Sequence, residues 1–145
     1  MAVRTSVFSE GHHFDEGIGP DGTVQYGVGS ESEFTSCLAR AGHLAYFVAD
    51  ARVAHIVRPE QLEEDWMIKR AYRHGLGFYR YHQHLLKRHN RRIFGVPLGI
   101  MARHLLYGLV APVVRFLPSS KLRLRVLFQD QWYRGLADSL TKPTR

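Results

Sequence analysis

The sequence has little of three features that define common protein classes. Of its 145 residues only Cys37 is a cysteine, which excludes an internal disulfide framework and a multi-cysteine zinc module. The longest apolar run covers residues 105–114, far short of the roughly 20 residues that a membrane-spanning helix needs. No apolar stretch typical of a secretory signal follows Met1, and a hydrophobic content of 45% excludes a fully disordered chain. We therefore expect one folded domain, or part of one, that does not cross a membrane.

Acidic residues are scarce in the second half of the chain. Residues 1–65 carry 4 Lys or Arg and 11 Asp or Glu, whereas residues 66–145 carry 16 and 2, within a total net charge of +7. This division favours a catalytic or metal-handling first half and a second half that faces a polyanion or a membrane. The alternative is that the basic half is an ordinary solvated helical surface.

Hydrophobic spacing predicts one helix and two strands in the first half. Phe34, Leu38 and Ala41 recur at helical spacing, which predicts a helix over residues 31–41 that ends at Gly42. Short β-branched and aromatic runs at residues 44–48 and 53–57 predict two strands.

The second half is predicted to be helical. Pro59 opens a helix that Gly75 and Gly77 interrupt, and a second, basic helix follows over residues 78–92. Residues 98–117 are apolar on nearly every face, as in a helix that is buried or lies in a membrane interface, and Pro112 should kink it. Residues 121–141 form a last helix, although alternation at their start also fits a strand.

Three side chains are candidates for chemistry, each with a plainer alternative. Glu31 and Glu33 follow the glycine-rich segment that ends at Gly29, where a carboxylate could act as a general base or simply stabilise a helix start. His55 closes the run Asp50-Ala51-Arg52-Val53-Ala54-His55 and could ligate a metal or fill a structural role. Four further histidines lie among Arg and Lys, which disfavours a bound zinc ion: His74, His82, His84 and His89.

Five short segments follow one another in a recognisable order. They are Met1-Ala2-Val3-Arg4, Phe14-Asp15-Glu16, Gly29-Ser30-Glu31-Ser32-Glu33-Phe34, Leu38-Ala39-Arg40-Ala41-Gly42-His43 and Asp50-Ala51-Arg52-Val53-Ala54-His55. Together they resemble the second, acceptor-side half of a family 2 glycosyltransferase of the GT-A fold. The resemblance covers about residues 1–75 and divides the chain into that part and a basic, partly apolar helical tail over residues 76–145.

The resemblance implies an α/β fold class: a partial GT-A-like fold of a few short strands plus helices, followed by a mainly α-helical basic tail. It also implies transfer of a sugar from a nucleotide-sugar donor to an acceptor hydroxyl, with inversion. The catalytic base of the family falls on Glu31, acceptor-binding positions fall on Asp15, Glu16 and Glu33, and a metal or diphosphate ligand falls on His55. The cofactor implied is a divalent metal, Mn²⁺ or Mg²⁺, in the complete enzyme.

Several features depart from the family pattern. The base position holds Glu31 rather than Asp, Ser30 replaces an acid, and Cys37 stands where relatives often have a basic residue. No Asp is followed two places later by another Asp, so the metal motif of the donor-binding half is missing. We therefore expect the chain alone to be inactive, with the donor half supplied before Met1 or by a separate chain.

The basic tail suggests where such an enzyme would work. It fits an acceptor that is lipid-linked or otherwise anionic, peripheral contact with a membrane, and a cytoplasmic location at the inner face of the cell membrane. The alternative function is a non-catalytic basic module that docks on an anionic membrane or another polyanion. Nucleic-acid binding ranks below both, because no recognised motif accompanies the Arg and Tyr residues of the tail.

Overall fold

The computed structural model describes residues 1–22, 26–86, 91–118 and 120–141, apart from the side chains of residues 80, 81 and 83–85. The chain is mostly helical, with two short antiparallel strands. In order, the elements are α1 (Ser6–Ser9), α2 (Ser30–Arg40), a 3-10 turn (Pro59–Leu62), α3 (Glu64–Leu86), β1 (Arg92–Ile93), β2 (Val96–Pro97), α4 (Leu98–Val114) and α5 (Lys121–Thr141).

Helices α3 and α5 make the most extensive contact in the described chain, across a seam of glycines. A Cβ atom on Gly75 would overlap the main chain of Trp132, and one on Gly135 would overlap the main chain of Tyr72. The helix backbones can meet this closely only because neither glycine has a side chain. The prediction that Gly75 and Gly77 interrupt the helix is therefore wrong, since both serve close packing inside α3.

The predicted second basic helix over residues 78–92 is also wrong in its bounds. Residues 78–86 belong to α3, in which only His82 departs from helical angles, with φ −111° and ψ 15°. Residues 87–90 lie outside the described residues. Arg92 then enters β1, where it pairs opposite Pro97 of β2.

Polar contacts also tie α3 to α5. The guanidinium of Arg123 donates to both carboxylate oxygens of Glu64, at 3.0 and 2.6 Å. The hydroxyl of Tyr72 donates to Oδ2 of Asp138 at 2.7 Å. Glu64 begins α3 and Arg123 lies near the start of α5, so the two helices run in the same direction.

Helix α4 packs one face against α5. Tyr107 stacks on Tyr133 with ring centroids 5.6 Å apart, and Ala111 and Val114 are buried. Pro112 lies inside the last turn of α4. The predicted last helix over residues 121–141 is confirmed as α5, so the alternative of a strand there is wrong.

The N-terminal region has a small core of its own. Val7 of α1 packs with Phe34 and Leu38 of α2, and all three side chains are buried. The rings of Phe8 and Phe14 stack on Phe34, with centroids 5.8 and 4.2 Å away. The spacing that predicted a helix over residues 31–41 is confirmed, because Phe34 and Leu38 are the residues that α2 buries.

The two strands predicted at residues 44–48 and 53–57 are wrong, because both segments are irregular in the structure. Their apolar side chains point to solvent: Phe47 is 95% exposed and Val53 is 87% exposed. A strand needs a neighbouring strand to satisfy its backbone, and none lies beside these segments within the described chain. The β1–β2 hairpin after α3 supplies the only strands within the described residues.

A short backbone contact joins the N-terminal region to α3. The N–H of Val28 donates to the carbonyl of Arg73 at 3.1 Å, and the guanidinium of Arg73 lies 5.0 Å from the ring centre of Tyr26. Gly77 packs against the main chain of Val28. The expected boundary at residues 75/76 therefore falls inside α3, next to this contact.

Candidate functional site

The predicted base lies at the start of α2. Gly29 precedes the helix in a left-handed conformation, with φ 119°, and Glu31 follows two residues later with its side chain exposed. Acidic residues at this end of a helix are stabilised by the helix dipole. Because Glu31 is exposed, a molecule in solution can reach its carboxylate.

The neighbouring Glu33 makes contacts within its own helix. Its Oε1 accepts a hydrogen bond from Sγ of Cys37 at 2.6 Å and lies 4.0 Å from Nη2 of Arg40. The bond to Glu33 raises the pKa of the Cys37 thiol, and burial adds to this shift. The two glutamates predicted from one motif thus differ. Glu31 faces solvent, whereas Glu33 contacts two side chains of its own helix, α2.

The two acids predicted on the acceptor side lie in the turn after α1. Oδ1 of Asp15 accepts a hydrogen bond from the N–H of Gly17 at 2.8 Å, which closes this turn. Glu16 is exposed beside it. Asp15 therefore has a local structural contact whether or not the turn also binds an acceptor.

His55 lies in the exposed segment between residues 44 and 58. The set of metal-ligating side chains that converge among the described residues does not include it. The role of His55 as a metal ligand stays a prediction.

That set consists of Glu10, His12 and His43, which the sequence analysis did not single out. One ligand atom from each residue lies within 4.8 Å of the other two. Nε2 of His43 is 3.4 Å from Oε2 of Glu10, and the rings of His12 and His43 meet edge to face with centroids 5.1 Å apart. The sequence does carry a signal, because Gly-His follows both α1 and α2.

A groove of about 670 Å³ lies beside this cluster. Residues 1–4 form one side of it, Thr35 and Ala39 of α2 lie along another, and residues 42–46 complete the lining. His43 therefore belongs both to the cluster and to the wall of the groove.

The basic half places its titratable groups differently. Burial lowers the pKa of His74, and the charges of Arg70 and Arg73 lower this pKa further. Burial is also the main cause that raises the pKa of Tyr72, to about 12, with the hydrogen bond to Asp138 adding to it.

The outer face of α4 is apolar and exposed. Leu109 is 76% exposed, Phe116 just after the helix is 91% exposed, and Leu105, Leu106 and Val113 share the same face. Arg103 and Arg115 are exposed on the same segment. No helix within the described ranges is long and apolar enough to cross a membrane.

Comparison with known proteins provides no relative for this chain. No family model, no curated protein and no solved structure matches it. The case for a function therefore comes from the residues themselves.

Proposed function

We propose that the chain is the acceptor-side part of a family 2 glycosyltransferase, with Glu31 as the catalytic base. The observation that carries this proposal is the position of Glu31, which is exposed at the start of α2 directly after the left-handed Gly29. Glu33, two residues later, is bound to Cys37 and faces Arg40. Glu31 is thus the more accessible of the two carboxylates.

The reaction proposed is an inverting displacement at the anomeric carbon of a nucleotide-sugar. The Glu31 carboxylate removes the proton from the acceptor hydroxyl while its oxygen forms the new bond to the sugar. The bond to the nucleotide diphosphate breaks, and the diphosphate leaves with the electron pair. General base catalysis of this kind contributes roughly 10²–10⁴-fold to the rate.

The described residues do not build a site for the Mn²⁺ or Mg²⁺ ion that the resemblance implies. Both ions prefer several oxygen ligands, whereas His55 would offer one nitrogen from an exposed segment.

The exposed segments at residues 44–48 and 53–57 support a partner for the N-terminal region. Their composition is typical of strands, yet Leu44, Phe47 and Val53 are each at least 79% exposed. We propose that the donor-binding half supplies the strands that they pair with, in the same polypeptide or as a separate chain. Pairing would satisfy their backbone groups and cover their apolar side chains.

Sugar transfer by the reassembled enzyme tests this proposal. The chain is combined with the donor half from the same source, and release of nucleoside diphosphate is measured with lipid-linked acceptors. We expect activity only from the combination, and Glu31→Gln should lower kcat by about 10²-fold or more. The matched control Glu60→Gln changes an exposed acid of the 3-10 turn and should leave kcat unchanged.

A second measurement follows the exposed segments directly. Amide hydrogen exchange over residues 44–57 should slow when the donor half binds, because new strand pairing protects the amides. Unchanged exchange together with a fully active Glu31→Gln variant would contradict the proposal.

The outer face of α4 favours a second function, peripheral binding to an anionic membrane. Apolar side chains on this face are flanked by the exposed Arg103 and Arg115, and Lys121 and Arg125 follow at the start of α5. An apolar helix face with basic neighbours is typical of helices that lie in the membrane interface.

Vesicle sedimentation tests this second function. The chain should bind vesicles that contain phosphatidylserine more strongly than neutral vesicles, and added salt should weaken the binding. Phe116→Asp should reduce binding about tenfold or more, because burial of such a side chain is worth ~1.5–3 kcal/mol. Phe47→Asp is the matched control, since Phe47 is 95% exposed but lies outside α4. Equal losses for both variants would exclude α4 as the membrane-binding face.

A further inference from the structure

We propose that Glu10, His12 and His43 bind a zinc ion and that this ion links the ends of α1 and α2. The proposal is independent of sugar transfer, because none of these residues takes part in the reaction above.

The first histidine is fixed by the way in which α1 ends. Gly11 adopts a left-handed conformation with φ 90°, its N–H donates to the carbonyl of Phe8, and the N–H of His12 donates to the carbonyl of Val7 at 3.2 Å. This pair of bonds is the Schellman motif, in which a glycine reverses the chain after the last helical turn. His12 is the residue that follows that glycine.

The second histidine is fixed in the same way at the end of α2. Gly42 has φ 92°, its N–H donates to the carbonyl of Ala39, and the N–H of His43 donates to the carbonyl of Leu38 at 3.0 Å. The two histidines therefore hold equivalent positions in two copies of one motif. Both are placed by backbone hydrogen bonds rather than by flexible loops.

The carbonyls that hold these histidines belong to the core. Val7 and Leu38, whose carbonyls accept the two bonds, are buried and pack with Phe34. Their packing fixes the distance between the ends of the two helices. The histidine rings are consequently brought together before any ion binds, which lowers the cost of binding.

The distances agree with a tetrahedral ion. Two nitrogen or oxygen ligands at 2.0–2.1 Å from a tetrahedral Zn²⁺ are about 3.3–3.4 Å apart. Nε2 of His43 and Oε2 of Glu10 are separated by 3.4 Å, and the ligand atom of His12 lies within 4.8 Å of both. A small rotation of the His12 side chain completes three ligand positions, and water can occupy the fourth.

The ligand types select the metal. Imidazole nitrogen suits zinc and other late transition metals, whereas Mg²⁺ and Mn²⁺ prefer oxygen. The single carboxylate of Glu10 offsets part of the ionic charge, and the carbonyl end of the α2 dipole also favours a cation. The competing basic side chain nearby in sequence, Arg40, is bound to Cys37 and lies near Glu33.

Zinc titration of the full chain tests this proposal. Binding is measured by competition with a chromogenic chelator, without any sugar nucleotide, and Co²⁺ is used as a visible probe of tetrahedral geometry. We expect one ion per chain, no competition from Mg²⁺ and a rise in Tm on addition of Zn²⁺. His12→Gln and His43→Gln should each weaken binding about tenfold or more, equal to about 1.4 kcal/mol.

A neighbouring histidine provides the matched control. His13 follows His12 directly and is exposed, so His13→Gln should bind zinc as the unchanged protein does. If either cluster variant loses its helical circular dichroism, Glu10→Gln replaces it, because Glu10 is 52% exposed and contributes little to packing. Unchanged zinc affinity in the His12→Gln/His43→Gln double variant would overturn the proposal, since any binding would then come from other histidines.

Discussion

Two regions of the molecule bury their apolar residues in different ways. One is the N-terminal region, residues 1–62, and the other is the helical unit formed by α3, α4 and α5. In the helical unit, main chains meet at Gly75 and Gly135, and polar contacts join residues 59 and 66 positions apart. In the N-terminal region, a core of three buried residues holds α1 to α2, while most of residues 44–58 remains exposed. Stability in the first case comes from extensive helix packing, and in the second from a small core between two helices.

The glycine seam is the place where the helical unit should be most sensitive. We expect Gly135→Ala to lower the free energy of unfolding by more than ~3 kcal/mol, because the new Cβ would overlap the main chain of Tyr72 and no rotamer can relieve the overlap. Denaturant unfolding followed by circular dichroism measures this loss. Gly99→Ala in α4 is the control, since no atom lies within 4 Å of its Cβ position, and it should be neutral or mildly stabilising. Similar stabilities for the two variants would refute the close approach.

The N-terminal region should unfold independently of the helical unit when its core is disrupted. Phe34 is 1% exposed, and Phe34→Ala should cost about 3 kcal/mol through lost burial and a cavity. Because no residue of α3 or α5 belongs to this core cluster, we expect limited proteolysis to cut within residues 1–58 while the helical unit stays intact. Phe47→Ala removes an exposed ring of the same size and should change nothing. Simultaneous digestion of both regions would show that they unfold as one.

The smallest expected effect concerns the hydrogen bond between Tyr72 and Asp138. Tyr72→Phe should lower the free energy of unfolding by about 1 kcal/mol at neutral pH. Burial and this bond raise the pKa of Tyr72 to about 12, so the folded protein keeps the proton at a pH where the unfolded chain, with a pKa near 10, releases it. Stability contributed by Tyr72 is therefore complete below pH 10 and is lost as the pH rises from about 10 to about 12.

Unfolding curves between pH 9 and pH 12 check this dependence. The alkaline loss of stability should be reduced in Tyr72→Phe and retained in Tyr46→Phe, a control at a position that is 79% exposed. An equal alkaline loss in the Tyr72→Phe variant and the unchanged protein would assign it to other groups.

The sequence predicts features that depend on nearby residues and misses features that depend on distant contacts. Helix α2 follows from apolar spacing and from the end signal Gly42, which are local properties of the chain. The strands predicted at residues 44–48 and 53–57 do not form, because a strand needs a neighbouring strand and the spacing of residues does not reveal whether one is present. Gly75 was misinterpreted for the same reason, because its contact with α5 lies about 60 residues further along the chain.

Some candidate sites can be predicted from sequence spacing, whereas another depends on the fold. The exposure of Glu31 agrees with its place at a helix start, and the pairing of Glu33 with Cys37 follows from a spacing of four residues that the sequence already contains. The cluster of Glu10, His12 and His43 needed the fold, because two helix ends had to be brought together. The repeated Gly-His after α1 and α2 was the visible part of that signal.

Because α3 precedes α5 in the sequence, the ribosome synthesises α3 before the helix against which it packs. Gly75 is made about 60 residues before Gly135, its partner in the seam. At roughly 5–20 residues per second, this interval lasts about 3–12 seconds. During that time α3 exists without the surface that covers it, while the core of Val7, Phe34 and Leu38 can already form. The emerging chain is therefore exposed to premature association at α3 rather than at its N-terminal core.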